Sequence, residues 1–550
     1  MNSTFFGLEL SRRALESQQV ALDISGHNIA NANTAGYSRQ IANLTATTPD
    51  SVLASGRNLS LGSGVTLDTI TRARDAFVDR QFRSETSKQQ YWGEKQDNLT
   101  KVEDILNEPS DNSLSSDMSQ FYTAWSDLSN DPTNAGARSV VSERAQELTD
   151  SFHNIAQQAS DLSGNMDAAV KVQVTQINTY ANQIKDLNDQ IRRAEVAGDN
   201  PNDLRDQRDS LVDDLSKIVN VKVVETKDPS FTDRTVNNYK VIIGDENSPT
   251  NNILVDGSTV NSLMDPPSLS SSTSTSTNPK PGLALVTWSD GTSVNLGTQQ
   301  GTLSADLDVR DQNLTKFMDQ LDTLAQGIAS AVNALHQTGQ GLTAETQTDP
   351  TVGPVGIDFF TNGSNPASTT PPALPVVTAS NITLNSVIAL DPNRIATGAI
   401  PLNTSTNPPT HAVDANGNAL VTAGDGTIAQ GISSLSTGWN ALQAQIDNGT
   451  FDPTASGAKL DPVSASSLGD YYAANVAQLG VDVQQATRMK AGEDVLVTNV
   501  TNQRSSLSGV SLDEEMTNLV KFQKSYSAAA RLVTMMDSMF DSILSMGMTK

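Results

Sequence analysis

The 550-residue chain contains no cysteine, and that absence excludes disulfides, thiolate metal sites and cysteine nucleophiles together. Histidine is nearly as scarce. His27, His153, His336 and His411 are dispersed, and none begins the His-Glu pair of a zincin helix, so solvated or capping roles are expected for them. Aromatic residues make up only 5%, which favours solvated helices and small surface sheets over one large core. Positive charge is also short. Against 62 Asp and Glu stand 36 Lys and Arg, giving a formal net charge of -26, and no basic cluster could neutralise a series of phosphates, so nucleic acid is excluded as a partner. No run of about 18 apolar residues exists to enter a membrane. The first thirty residues lack the layout of a cleaved secretory signal, because Glu9, Arg12, Arg13, Glu16 and Asp23 interrupt every apolar run.

What is present is periodicity. Leu8, Leu15, Leu22 and Ile29 recur every seven residues, the mark of a helix offering one narrow seam to a partner helix. The same spacing returns at the far end in Leu512, Leu519, Tyr526, Val533 and Phe540, with Phe522, Ala529, Met536 and Ile543 three positions on. The charges at the two ends nearly cancel, so the acidic excess lies in the middle. Ends that pack and a middle that faces solvent account for this, and the two seams predict that the termini pair.

A length of 550 residues predicts three or four domains of roughly 100 to 200 residues each. After Ile29 the residues Asn31, Asn33, Thr34 and Gly36 suit a helix stop. Helical spacing dominates from about residue 72 to 220, most clearly in Val170, Val174, Ile177, Ala181, Ile184, Leu187 and Ile191. A new helix starting at Asn200–Pro201 or at Asn202 would turn Leu204, Leu211, Leu215 and Ile218 inward. Short β-branched runs follow, among them Val221–Val224 and Tyr239–Ile243, with a hairpin centred on Asp290 and Gly291. Leu307, Leu314, Leu321, Ile328 and Leu335 then resume the seven-residue stripe.

The chain therefore divides into an N-terminal coiled-coil helix with its turn motif (1–40), an extended linker (41–71), the first part of a helical bundle (72–220) and a β-rich insertion (221–302). A helix returning to the bundle (303–345), a second β and loop insertion (346–424), the last part of the bundle (425–505) and a C-terminal coiled-coil helix (506–550) complete it. The fold class is α+β: mainly α, with terminal coiled-coil helices, a long helical bundle domain and β-rich inserted outer domains. Nesting of this kind puts both termini at one pole and the insertions at the other.

Two stretches carry a resemblance. "ISGHNIANANTAGYSRQ", residues 24–40, resembles the motif shared by flagellar rod, hook and hook-associated axial proteins, differing from its usual Asn-Asn around His27 and from the frequent Pro at Ala35. "SGVSLDEEMTNLVKFQKSYSAAARLVTMMDSMFDSIL", residues 508–544, resembles the matching C-terminal motif. With "PNDLRDQRDSLVDDLS", residues 201–216, and the length, the resemblance narrows to the hook-associated protein 1 family. It implies a structural adaptor at the hook–filament junction of the bacterial flagellum, extracellular and exported without a cleaved signal peptide. The implied partners are the flagellar hook protein, the second hook-associated junction protein, copies of the chain itself in a ring, and a cytoplasmic export chaperone on the C-terminal segment. The terminal seams named above become the assembly interface, and Asn28, Asn31, Asn33, Gly36 and Tyr37 the axial motif. Alternatives are another axial subunit of hook or distal-rod type, or a secreted surface protein using axial ends for export.

No catalytic, cofactor-binding or metal residues emerge. Gly339, Gly341 and Ala344 match G-x-G-x-x-A but follow a helix where a dinucleotide site needs a strand. Asp414, Asn416 and Asn418 lack the twelfth-position Glu of a calcium loop and read as a hairpin turn. The Asp203, Arg205, Asp206, Arg208, Asp209 run reads as a salt-bridged helix face in which Arg205 pairs with Asp209.

Overall fold

A computed structural model describes residues 6–54, 57–232, 234–244, 252–270, 281–342, 357–363, 377–399, 402–403, 410–411, 424–438 and 467–547. The axial segments come first and last. Helix α1 (Phe6–Ala30) leads into two nested antiparallel pairs: β1 (Gln40–Ala46) with β4 (Val65–Arg72), enclosing β2 (Asp50–Ala54) with β3 (Arg57–Leu61). The segment read as an extended linker is thus a long hairpin, paired from Gln40↔Arg72 to Ala46↔Val65.

Four helices follow, α2 (Ala76–Leu106), α3 (Leu114–Asn130), α4 (Ala135–Ala197) and α5 (Asn202–Ile218). Their ends are set locally. Asp75, Ser113 and Asn134 cap the first three N-termini by accepting from backbone amides one turn in, and Gly198 closes α4 at φ 93°, where a Cβ would be strained. With 63 residues, α4 extends about 95 Å, enough to serve two cores in succession. Its first half packs with α3, where Phe121, Trp125, Phe152, Phe359 and Phe360 form the aromatic centre of the body. The second half buries Val170, Val174, Ile177, Ala181, Ile184 and Ile191, with Leu187 half-buried. It packs there against α5 and an antiparallel sheet of β5 (Val221–Lys227), β6 (Asn237–Ile243), β7 (Ile253–Asp256) and β8 (Thr259–Val260), in that order. Around Asp290 only the turn of the predicted hairpin survives: Trp288 donates its amide to Thr292, and an isolated bridge joins Thr287 to Ser293.

The stripe from Leu307 to Leu335 is not one helix. Helix α6 (Thr302–Asp308) passes through a single π turn, Val309–Asn313, into α7 (Leu314–His336). The extra residue rotates the phase, so Leu303, Ala305 and Val309 are buried while Leu307 is only half-buried. It also turns Arg310 inward, where it donates to Asp167 at 2.7 Å and to the Ala284 carbonyl at 3.0 Å, joining the helical part to the β part.

The described part of residues 346–424 turns inward and not outward. Phe359, Phe360, Val377, Ile382, Ile388 and Ile395 all lie in the α3/α4 core, accompanied by the short α8 (Ser386–Leu390). His336 is neither solvated nor a cap: fully buried, its Nε2 accepts from the Ala396 amide at 2.9 Å, and burial depresses its pKa to about 4. Gly339 and Gly341 sit where a Cβ would strike the backbone of Gly398 and Asn393, so Gly339 serves close strand contact and Gly341 close approach to the turn at Pro392–Arg394. Ala344 and the Asp414, Asn416, Asn418 turn lie outside the described residues.

Helix α9 (Thr427–Ser434) completes the α3/α7 core. The chain then returns along α10 (Leu468–Ser508), which lies antiparallel on α2: Arg504 reaches Asp79, Gln89 donates to Asp494, and Lys490 lies at Gly93. Helix α11 (Leu512–Gly547) ends the described chain and lies antiparallel on α1, with Met536 against Gly7 at one end and Glu514 on Arg39 at the other.

Candidate assembly surface and its seat on the body

The N- and C-terminal seams do meet, and what they leave uncovered distinguishes this pair from the rest of the molecule. In α1, Leu8, Leu15, Leu22 and Ile29 are all half-buried, whereas the covered positions are small or polar: Ser11, Ser17, Ala21, Ser25 and Asn28, with Ile24. Small residues let the β1–β4 pair approach closely, Ser17 Oγ lying 3.4 Å from the Val65 carbonyl. In α11, Leu519, Val533 and Phe540 are half-buried, Tyr526 is exposed, and Leu512 is 51% exposed. Of the offset series, Phe522, Ala529 and Met536 are half-buried and Ile543 is exposed. Beside the seam, Met516, Val520, Leu532, Met535, Met539 and Leu544 widen the apolar band into solvent, Met535 to 60% exposure. Among the described residues of α11 no apolar side chain is fully buried.

The motif after α1 is an intramolecular clasp. Asn28 Nδ2 donates to the Gln40 carbonyl at 2.9 Å, and its Oδ1 accepts from the Gln40 amide at 2.9 Å and from Tyr37 OH at 2.7 Å. One buried amide thus pairs like a piece of strand and closes the loop. Asn31 ties the turn through the His27 carbonyl and Thr34 Oγ1. Gly36 adopts φ 79°, and a Cβ there would also crowd Ser210, so both conformation and contact call for glycine. Tyr37 is raised above its ordinary pKa by burial, then by Asp203, Asp206 and Glu515. Asn33 lies on the exposed turn, apart from the clasp.

The clasp is anchored by α5. The Ser38 amide and Oγ donate to Asp206 at 2.9 and 2.8 Å, Gln40 donates to Asp203 at 2.7 Å, and Asn202 donates to the Ile70 carbonyl at 3.0 Å. Here the expected Arg205–Asp209 pair is not formed. Arg205 turns to Glu195 and Arg208 to Asn188, while Asp206, Asp209 and Asp213, spaced three and four apart, share one inward face. Arg72 and Arg74 reach Asp206 and Asp209, Arg83 reaches Asp209 and Asp213, and Arg504 reaches Asp213 and Asp79, which also pairs with Arg74. Four arginines and four aspartates balance in a site where each side chain is only 5–18% exposed. Burial alone would raise Asp209, but Arg74, Arg72, Arg83 and Arg208 outweigh it and hold the carboxyl well below the usual carboxylate range.

Sequence reading missed Ser38, Arg72, Arg74, Asp79, Arg83, Asp213 and Arg504. The available signal was the three-and-four spacing of Asp206, Asp209 and Asp213 on the same helix as Val212 and Leu215. Acidic residues repeating at core spacing call for buried cations. Among the described residues no group of three or more His, Cys, Asp or Glu is placed to hold a metal ion, and no helix is long and apolar enough to cross a membrane.

A mainly helical body, with paired terminal helices clasped to it and an apolar band left uncovered along them, defines an axial-type structural subunit. Three family models match the chain: the flagellar hook-associated protein FlgK helical domain over residues 99–360, the flagella basal body rod protein family over 8–37, and the C-terminal part of flagellar basal body rod FlgEFG proteins over 502–546. The chain is 30% identical to flagellar hook-associated protein 1 of Bacillus subtilis, over 99% of this chain and 98% of that one. It is 27% identical to the protein of that name in Escherichia coli, over 96% and 97%. The flagellar hook junction protein FlgK from Burkholderia pseudomallei shares the fold, with a TM-score of 0.53 at 18% identity over 78% of this chain and 100% of that one. The chain belongs to the flagellar hook-associated protein 1 family and is a structural subunit of the bacterial flagellum.

Proposed function

We propose that this chain is the adaptor of the hook–filament junction and that it works by assembly alone, without catalysis. The observation that carries the reading is the apolar band of α11, which has no fully buried member in the monomer. Burying one leucine is worth roughly 1.5 to 3 kcal/mol, so a band left open over a whole helix is a strong drive to associate. Copies of the chain cover it in a ring, each presenting Leu8, Leu15, Leu22 and Ile29 beside Leu512, Leu519, Tyr526, Val533 and Phe540. The hook protein meets the ring on one side and the second hook-associated junction protein on the other. Before export, without a cleaved signal peptide, a chaperone shields the C-terminal segment. The subunit then acts outside the cell. In this reading residues 1–40 and 506–550 build the tube, the bundle forms its wall, and the β5–β8 sheet lies outermost.

The test is Leu519→Asp with Asp513→Leu, on the exposed start of the same helix, as control. Secreted Leu519→Asp protein should keep the far-ultraviolet helical signal of the body and fail to cap isolated hooks, while the control caps them. Normal capping by Leu519→Asp removes the terminal pair as the assembly surface.

A further inference from the structure

Six of the buried charges close on themselves. Arg74 pairs with Asp79 at 3.0 Å, Asp79 with Arg504 at 2.9 Å, Arg504 with Asp213 at 2.6 Å, Asp213 with Arg83 at 2.6 Å, Arg83 with Asp209 at 3.4 Å, and Asp209 with Arg74 at 2.9 Å. We infer that this ring is a latch that fixes the direction of the terminal helix pair on the body, and that Arg504 is the positioning residue that closes it. The inference rests on the geometry of the single chain and not on the partners named above.

The ring lies where the chain crosses between terminal pair and body in both directions. Outbound, Ser38 is held by Asp206, and the Ala73 amide donates to the Arg39 carbonyl at 2.8 Å just before Arg74. Inbound, α10 ends at Ser508 and α11 begins at Leu512, leaving residues 509–511 as the connection. Gly509 there is extended, at φ -70° and ψ 153°, so the helical ladder is interrupted and the joint can bend. Among the described residues the ties across this connection are local, the Arg39 amide on the Ser508 carbonyl at 2.9 Å and the exposed Arg39–Glu514 pair at 2.6 Å, while the clasp on α5 holds the N-terminal side of the pair. On the C-terminal side stiffness comes from the end of α10, and Arg504 is one turn before the break.

Arg504 is suited to that task. It is the one ring member from the C-terminal half, so within the ring it alone ties α10 to both α2 and α5. Its Nε reaches Asp79 on α2 while Nη2 reaches Asp213 on α5, and its guanidinium lies 4.5 Å over the Phe82 ring. A planar fork can bridge two carboxylates and stack at once, which a lysine ammonium cannot do. Without Arg504, the three arginines Arg72, Arg74 and Arg83 would face the four aspartates Asp79, Asp206, Asp209 and Asp213, an acidic excess of one in a largely buried site.

The absence of cysteine from the chain makes the test direct. Gln190→Cys on exposed α4 and Lys524→Cys on exposed α11 supply two spin labels across the joint. The labelled chain should give one narrow distance distribution. Arg504→Ala should broaden it at least twofold, Arg504→Lys should give an intermediate width, and Arg144→Ala, which removes an exposed pair with Glu147, should leave it unchanged. Should Arg504→Ala melt the body as well, Arg504→Lys decides: a wider distribution with the body's thermal transition intact supports the latch. A wild-type width in Arg504→Ala, or in Arg504→Lys where Ala does not fold, overturns it. Leu519→Asp in the same labelled chain should remain narrow while failing to cap hooks, so loss of the seam and loss of the latch are told apart.

Discussion

Helix α4 brings Val141, Ala145, Leu148 and Phe152 to zero exposure, while α11, with an equally regular apolar repeat, brings no apolar side chain below the half-buried range. The two helices are similar in pattern and opposite in outcome. The body is finished: Trp125, Phe121, Phe359 and Phe360 interlock at ring separations of 4.9 to 6.3 Å and need nothing from outside. The terminal pair is unfinished, because two helices and one hairpin cannot surround the apolar band of a 36-residue helix. Stability in this protein is thus concentrated in one region and assembly potential in the other, with a charge ring between them.

That contrast can be broken by substitution. The largest effect should come from Met535→Asp, at an exposed position of the band: hook capping should be abolished while the monomer's thermal transition stays within about 0.5 kcal/mol of the parent, as for most surface changes. Urea unfolding and a capping assay on the same preparation measure both sides. Trp125→Ala should do the reverse, costing about 3 to 5 kcal/mol of body stability through the cavity it leaves. Any secreted, folded fraction should still cap. If both substitutions damaged stability equally, the division between finished and unfinished regions would fail.

A subtler effect lies within the body. Asp306 is buried, accepts from Asn98 and Gln173 at 2.7 Å each, and has its pKa raised to about 6 by burial and then by Glu94. A carboxyl raised above its unfolded value stabilises the fold fully below about pH 4 and loses that contribution as pH rises through 6. At neutral pH the penalty is of the order of 1.4 kcal/mol per pKa unit, so about 3 kcal/mol. Asp306→Asn should remove it, raising stability at pH 7 and flattening the dependence between pH 4 and 7. Gln173 can turn its amide to meet the new donor, because its Oε1 has no partner. Denaturant midpoints across that range provide the check. The smallest effect should be that of Asn28→Ala, which strands the Gln40 amide and carbonyl and should cost about 1 to 3 kcal/mol locally. Faster hydrogen exchange at Gln40, with the body unchanged, is the expected signature.

Much of the architecture could be read before any coordinates. The seven-residue series at Leu8 and Leu512, the helical period through Val170–Ile191 and the change to β-branched runs at Val221 each follow from local spacing, which the chain must obey wherever it packs. The Leu307–Leu335 stripe was legible as helix but not in phase, since a π turn leaves no mark in a seven-residue count. The inward course of Phe359 and Phe360 was hidden by the Pro, Thr and Gly around them, whose composition describes loops and says nothing of where an occasional aromatic goes.

The charges show the same boundary more sharply. That "DLRDQRD" forms a helix rich in both signs was plain from the letters, and neighbours four apart were the natural pairs. Yet the partners of Asp206, Asp209 and Asp213 are Arg72, Arg74, Arg83 and Arg504, between 126 and 291 residues away. Sequence by itself determined that the termini are helices with seams, that they pair, and that the body is helical with β additions, because those properties depend on residues a few positions apart. Tertiary structure alone decided which apolar faces are consumed and which carboxylates are desolvated. Burial and Coulomb energy depend on distance in space, and a chain folded back on itself places residue 504 nearer to 79 than any local pattern can record.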